Sequence, residues 1–134
     1  MNWPFSLEIK VRFRDLDAMG HVNNAVYFTY LELARTEYYI KLTNIKKLSD
    51  LDFIVVSASC DYKSAASIED KIVAYIKPTR VGTSSWTFKY ELREKDSGRL
   101  IVEAETVQVA FDYKKRKKKA INDVLKQKLL SEIQ

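Results

Sequence analysis

Asp15, Asp17, His21, Asn23 and Asn24 fall within ten consecutive positions, the densest group of chemically capable side chains in the sequence. A carboxylate near an acyl carbonyl can attack it directly or activate a water, and Asp17 suits either role. A helix starting just after this group would turn unpaired N–H groups and a positive dipole end toward the same place. Backbone donors around Asn23 to Ala25 would then stabilise an oxyanion. The same residue types also serve any loop and helix cap, so local composition alone leaves both readings open. His21 is the only histidine and one cysteine accompanies it in the chain, so no metal site is expected. No Gly-x-Ser-x-Gly elbow, P-loop or Gly-x-Gly-x-x-Gly loop occurs, and no cofactor is implied.

The elements around this group follow from hydropathy. Residues 8–14 alternate, with Ile9, Val11 and Phe13 on one side, which predicts a half-buried strand. Residues 15–21 break the pattern and read as a loop. Asn23 or Asn24 is the expected N-cap of a helix running from Ala25 to about Leu42. That helix is apolar nearly all round, as a helix wrapped by other structure would be. Residues 43–52 read as a connector. Strands are predicted over 53–62, 71–80, 83–94 and 100–113, with Asp96-Ser97-Gly98 as a turn. Residues 120–134 carry the spacing of a surface helix. The class is α+β, a five-stranded antiparallel sheet covered by one long helix. Periodicity leaves the strand order open.

The chain has 134 residues, 46% hydrophobic and 31% charged, which predicts a single globular domain over 1–134. No apolar run is long enough to span a bilayer, and residues 1–6 lack a signal-peptide layout, so a cytoplasmic protein with no membrane partner is expected. The net charge of +5 arises largely from one run, residues 114–119. Such a run suits a phosphate-bearing ligand or an acidic protein, or is simply solvated. With only Tyr113 beside it, nucleic acid is not expected.

Residues 11–27, containing Asp15-Leu16-Asp17-Ala18-Met19-Gly20-His21-Val22-Asn23-Asn24 and Tyr27, closely resemble the opening of hot-dog thioesterases. They are similar to both the 4-hydroxybenzoyl-CoA and the acyl-ACP types. Ala34-Arg35-Thr36-Glu37, Cys60-Asp61-Tyr62-Lys63, residues 79–85 and Val109-Ala110-Phe111-Asp112 extend the resemblance to roughly residues 7–130. It implies a hot-dog fold and a thioester hydrolase acting on acyl-CoA, or on acyl carrier protein. It implies Asp17 as the catalytic carboxylate, the backbone N–H near Asn24 as the polarising donor, and His21 as an assistant. Asn23, Tyr27, Arg80, Gly82, Thr83 and Ser84 are the substrate-binding residues it suggests, the last four facing the CoA nucleotide. It further implies a homodimer or homotetramer with a site between subunits.

Two departures stand out. Met19 occupies the place of a catalytic Asn in the acyl-ACP type. Residues 64–70 replace a Pro-x-x-x-Gly-Asp stretch. A non-catalytic acyl-thioester binding protein on the same fold is the alternative from a different class.

Overall fold

Alternation decides which face of each strand turns inward. In the strand Ser85–Glu94, Trp86, Phe88, Tyr90 and Leu92 are fully buried, whereas Lys89, Glu91 and Arg93 face outward. The same logic organises the whole sheet in this computed structural model, which describes residues 2–133. The strands are β1 (Phe5–Lys10), β2 (Phe53–Tyr62), β3 (Lys71–Val81), β4 (Ser85–Glu94), β5 (Leu100–Asp112) and β6 (Lys117–Lys118). The long strands run in the order β1-β3-β4-β5-β2, and every pairing is antiparallel. To the five expected strands the structure adds β6, two residues that pair with Phe111 and Asp112 at the end of β5.

Helix α1 (Val26–Thr43) lies on the concave face and buries Tyr30, Leu31, Ala34, Tyr38, Tyr39 and Leu42 there. Its length, about 27 Å at 1.5 Å per residue, lets it span most of the sheet. An aromatic cluster fills the space beneath it. Trp86 stacks on Tyr39 at 6.1 Å and meets Phe53 and Phe88 edge-on. Helix α2 (Asp123–Glu132) closes one end, with Asn122 as its N-cap and Leu125 and Leu129 buried. Among the described residues no helix is long and apolar enough to cross a membrane. The expected C-terminal helix reached Gln134, which lies outside the described residues.

Three local expectations are corrected. The first strand ends at Lys10 rather than Arg14. The Arg12 amide leaves the ladder for the Asp15 carboxylate, and Phe13–Asp15 forms a 3-10 turn. Phe13 is therefore 86% exposed, although Ile9 and Val11 stay buried as their period requires. The N-cap of α1 is Ala25, without a side-chain cap bond, and neither asparagine fills that role. Asn23 instead accepts the Ala25 amide with its side chain and the Val26 amide with its carbonyl. Finally, one chain does not wrap α1 completely, since Phe28 and Leu33 remain exposed.

Both outer long strands present free edges. β1 is short and carries Glu8 and Lys10. β2 has ten residues, with no charge before Asp61. Val55 and Ala58 lie on its concave side, in register with the inward Gln108 and Thr106, yet both are exposed. The helix thus covers the β1, β3 and β4 side and leaves the β2 side open.

Candidate active site

The loop from β1 to α1 is folded by its own polar groups. Asp15 is 3% exposed and accepts three hydrogen bonds, from the Arg12 amide and guanidinium and from the Tyr30 hydroxyl. Burial opposes its ionisation, but the Arg12 amide, the Tyr30 hydroxyl and the Arg12 guanidinium outweigh it, so its carboxyl sits below the ordinary range. The Asp15 carbonyl also accepts the Asn23 amide, which closes the loop on itself. Gly20 occupies the left-handed region at φ +79°, where a side chain would be strained. Its amide returns to the Asp17 carbonyl, and the Asp17 amide donates to the His21 carbonyl at 2.8 Å.

This folding fixes the Asp17 side chain by one oxygen. Its Oδ1 accepts the Met19 amide at 2.9 Å and the His21 amide at 3.4 Å. Its Oδ2 makes no hydrogen bond among the described residues, and the side chain is exposed. A carboxylate held at one oxygen and open at the other is oriented while keeping a lone pair for chemistry.

Asp17, His21, Val22, Asn24, Tyr27, Tyr62, Lys63, Ser64 and Ala65 line an open cleft of about 280 Å³. Asn24 immediately precedes α1. The Ala25 and Val26 amides are taken by Asn23, but the Asn24 amide has no partner among the described residues. Its carbonyl accepts the Tyr62 hydroxyl at 2.9 Å, which ties the helix start to the end of β2. The Tyr27 ring packs against Tyr62 at 5.6 Å and forms the apolar floor. Burial pushes the Tyr27 hydroxyl above its ordinary value, so it stays protonated near neutrality.

The structure therefore brings together Asp17, His21, Asn24 and Tyr27. Asn23 lies behind them as a loop-former, its side chain committed to the Ala25 amide. His21 contributes backbone: it bridges to Ser67, while Val22 donates to the Ala66 carbonyl. The segment of residues 64–70 becomes a wall of the cleft. It is latched by Arg99, which donates to Ser64 Oγ and the Ala65 carbonyl and pairs with Asp70 at 3.2 Å. The cleft roles of Tyr62 and Lys63 were not foreseen, though both stand in the recognised strand end. Nothing local in the sequence marks Arg99, because its partners lie some 30 residues away.

Arg80, Gly82, Thr83 and Ser84 are not in this cleft. Arg80 lies at the end of β3, and Gly82, Thr83 and Ser84 form the β3–β4 turn at the opposite end of the sheet, where Gly82 donates to the Ser85 carbonyl and Arg80 donates to Ser85 Oγ. β5 begins beside the cleft, where Lys63 donates to the Ile101 carbonyl, and ends beside this turn, where Ala110 donates to the Ser84 carbonyl. At ~3.3 Å per residue the stretch of β5 from Ile101 to Ala110 spans roughly 30 Å within one chain. Within one chain, therefore, the residues expected at the CoA nucleotide and those expected at the thioester stand at opposite ends of the sheet.

Comparison with known proteins agrees with this architecture. Residues 11–129 match the family described as the thioesterase-like superfamily. The uncharacterized protein YsmA of Bacillus subtilis is 33% identical over 66% of this chain, and the match spans 60% of that protein's length. The long-chain acyl-CoA thioesterase FadM of Escherichia coli is 27% identical over 91% of this chain and 94% of its own. Among solved structures, a thioesterase from Thermus thermophilus complexed with coenzyme A and zinc superposes with a TM-score of 0.87. It is 26% identical, and the match covers 96% of this chain and 93% of that one. No group of three or more His, Cys, Asp or Glu that could hold a metal ion occurs among the described residues.

Proposed function

Because the chain belongs to the thioesterase-like superfamily, we propose that it hydrolyses acyl-CoA thioesters to the free acid and CoA, with Asp17 as the reacting carboxylate. The observation that carries this reading is the pairing of two unsatisfied groups at one cleft. Asp17 Oδ2 is an open base or nucleophile, and the Asn24 amide at the head of α1 is an open donor. The thioester carbonyl oxygen would accept from the Asn24 amide and gain the charge of the tetrahedral intermediate, next to the positive end of the helix. As general base, Asp17 takes a proton from water while the water oxygen bonds to the carbonyl carbon. The C–S bond then breaks, and CoA leaves as the thiol once it receives a proton. As nucleophile, Asp17 forms an acyl anhydride with loss of CoA thiolate, and water then cleaves the anhydride. Tyr27 and Tyr62 supply an apolar floor, and Lys63 a positive charge at the rim.

We further propose that the working form is at least a dimer joined along β2. Its uncharged ten-residue edge and uncovered concave face support that reading, since free edges of this kind are otherwise blunted by charge or cover.

The test is thiol release from short, medium, long and aromatic acyl-CoAs by wild type and by Asp17→Asn. Loss of about two or more orders of magnitude in kcat is expected for the variant, the scale of acid–base catalysis. Unchanged activity would remove Asp17 from its role. If folded wild type turned over only carrier-protein thioesters, the substrate class would be reassigned.

A further inference from the structure

Arg35 is a buried cation without an anion. It stands on α1 in the Ala34-Arg35-Thr36-Glu37 group, is 8% exposed, and pairs with no carboxylate among the described residues. One guanidinium nitrogen donates to the Tyr90 hydroxyl at 3.3 Å. The other guanidinium N–H groups find no partner among the described residues. Such a charge is costly to keep, since water solvates it far better than one neutral hydroxyl does.

Tyr90 passes the polarity on. Its hydroxyl shares a 2.6 Å hydrogen bond with Thr106 Oγ1, Thr106 donates to Gln108 Oε1, and Gln108 Nε2 donates to the Trp86 carbonyl at 3.3 Å. Tyr90, Thr106 and Gln108 are all buried, and the buried Trp86 Nε1 makes no hydrogen bond among the described residues. For stability alone, apolar side chains of the same volume would serve as well.

This polar strip borders the open side of the sheet. Leu31, Arg35 and Tyr39 share one stripe of α1, and the Tyr39 ring meets Phe53 of β2 with centroids 4.7 Å apart. Farther along β2, Val55 is in register with Gln108 and Ala58 with Thr106, and both are exposed. Cys60 follows, half-buried opposite Ala104, and then Tyr62, which lines the cleft with Asp17 and Asn24. The uncovered face of β2 therefore leads from the cleft to the Arg35 strip. Along α1, roughly 14 Å separates Val26 from Arg35 at 1.5 Å per residue. An extended acyl chain of medium length covers that distance.

We infer that Arg35 receives a carboxylate at the far end of the acyl group, so that the preferred substrates are CoA monothioesters of medium-chain dicarboxylic acids. The inference rests on the thioesterase reading and names its substrate class. The methylene chain lies against Tyr62, Cys60 and Ala58. Its terminal carboxylate takes the open N–H groups of Arg35, whose planar fork matches two carboxylate oxygens. Charge complementarity selects this occupant, because a methyl-ended chain would displace water from the cation and leave it unpaired.

The test compares suberoyl-CoA with octanoyl-CoA and sebacoyl-CoA with decanoyl-CoA, pairs that match in length and differ at the far end. In wild type the carboxylated member of at least one pair is expected to have the higher kcat/KM by about tenfold or more, the range of a charge-assisted hydrogen bond. Arg35→Met removes the charge at similar length, and the preference is expected to vanish or invert. Arg35→Lys keeps the charge without the fork and is expected to fall between. A higher kcat/KM for the methyl-ended member of both pairs in wild type would overturn the inference whether or not any variant folds. So would a preference that survives Arg35→Met. Light scattering of Arg35→Met covers the other source of an anion, a carboxylate of a second copy. A variant that falls to monomers where wild type does not would give Arg35 to the interface and overturn its role toward substrate. Binding without turnover separates this inference from hydrolysis. Calorimetry with the thioethers S-(ω-carboxyheptyl)-CoA and S-octyl-CoA, which have no ester to cleave, is expected to show tighter binding of the carboxylated one by wild type and not by Arg35→Met. That result supports the role of Arg35 even if no acyl-CoA is hydrolysed, and equal affinities overturn it.

Discussion

The Tyr30 hydroxyl donates to the Asp15 carboxylate across 2.7 Å, joining the second turn of α1 to the loop that carries Asp17. Both groups are buried, at 2% and 3% exposure. Asp15 in turn holds the Arg12 amide, where β1 ends, and through its carbonyl the Asn23 amide, where α1 is about to begin. This one contact fixes the loop's entrance and exit against the helix. Tyr30→Phe removes the donor without opening a cavity, and it is expected to destabilise the fold by about 1–2 kcal/mol, the cost of losing a hydrogen bond to a buried charged acceptor. Chemical denaturation measures that loss. A fall in kcat larger than the loss of folded protein is expected beside it, because Asp17 would no longer be held relative to Asn24. Full activity in a destabilised variant would show that the loop holds its shape without Tyr30.

Acid stability follows from the same carboxylate. Its folded-state pKa is lowered, so Asp15 contributes stability that is fully present above the unfolded carboxylate value of about 3.9. That contribution disappears as pH falls through the lower, folded value. Asp15→Asn is therefore expected to be less stable than wild type at pH 6, and the gap should narrow steadily below about pH 4. Urea midpoints across that pH range read it directly. A gap of constant size would mean that the charge of Asp15 contributes nothing and only its shape matters.

Arg99 gives a contrasting case, in which geometry matters more than energy. Its guanidinium reaches Ser64, Ala65 and Asp70 at once and holds the wall of the cleft against the start of β5. The side chain is 38% exposed, so its ion pair is weakened by solvent. Arg99→Ala should cost no more than about 1 kcal/mol in stability. The KM for acyl-CoA is nevertheless expected to rise, because residues 64–70 would lose their latch. Arg99→Lys should not restore it, since an ammonium cannot make the forked contact. Equal KM values for all three proteins would exclude a role for the wall in binding.

What the sequence revealed, and what it did not, divides along local and non-local lines. The core of β4 was legible because Trp86, Phe88, Tyr90 and Leu92 alternate strictly, and alternation is a property of the strand itself. The loop from Asp15 to Asn24 was legible as a chemical group through its motif. The end of β1 was not, because the alternation of Ile9, Val11 and Phe13 continues past the point where Asp15 captures the Arg12 amide. The capping role of Asn23 was misplaced by two residues for a similar reason: its side chain serves the turn before the helix and not the helix itself. Tyr62 enters the cleft, and Arg99 reaches its wall, only through the pairing of β2 with β5, after which the Tyr62 hydroxyl can meet the Asn24 carbonyl. The separation of Arg80 from Asp17 is likewise a consequence of strand length, which no motif records.

The β2 edge supplies the last prediction. Ala58 sits near the middle of β2, on its concave face, in register with the buried Thr106 and itself exposed. If two copies pair along this strand, the two Ala58 side chains lie close to the symmetry axis. A lysine there meets its own copy, and a charged edge strand resists pairing. Within one chain the substitution places an ammonium in open solvent, so the fold should be nearly unaffected. Ala58→Lys is thus expected to run as a 15.6 kDa monomer by light scattering, where wild type runs as a multiple of that mass. Its turnover of acyl-CoA should fall with the loss of the second copy, while its circular dichroism stays that of wild type. A monomeric wild type, or a monomeric variant with full activity, would mean that one chain suffices.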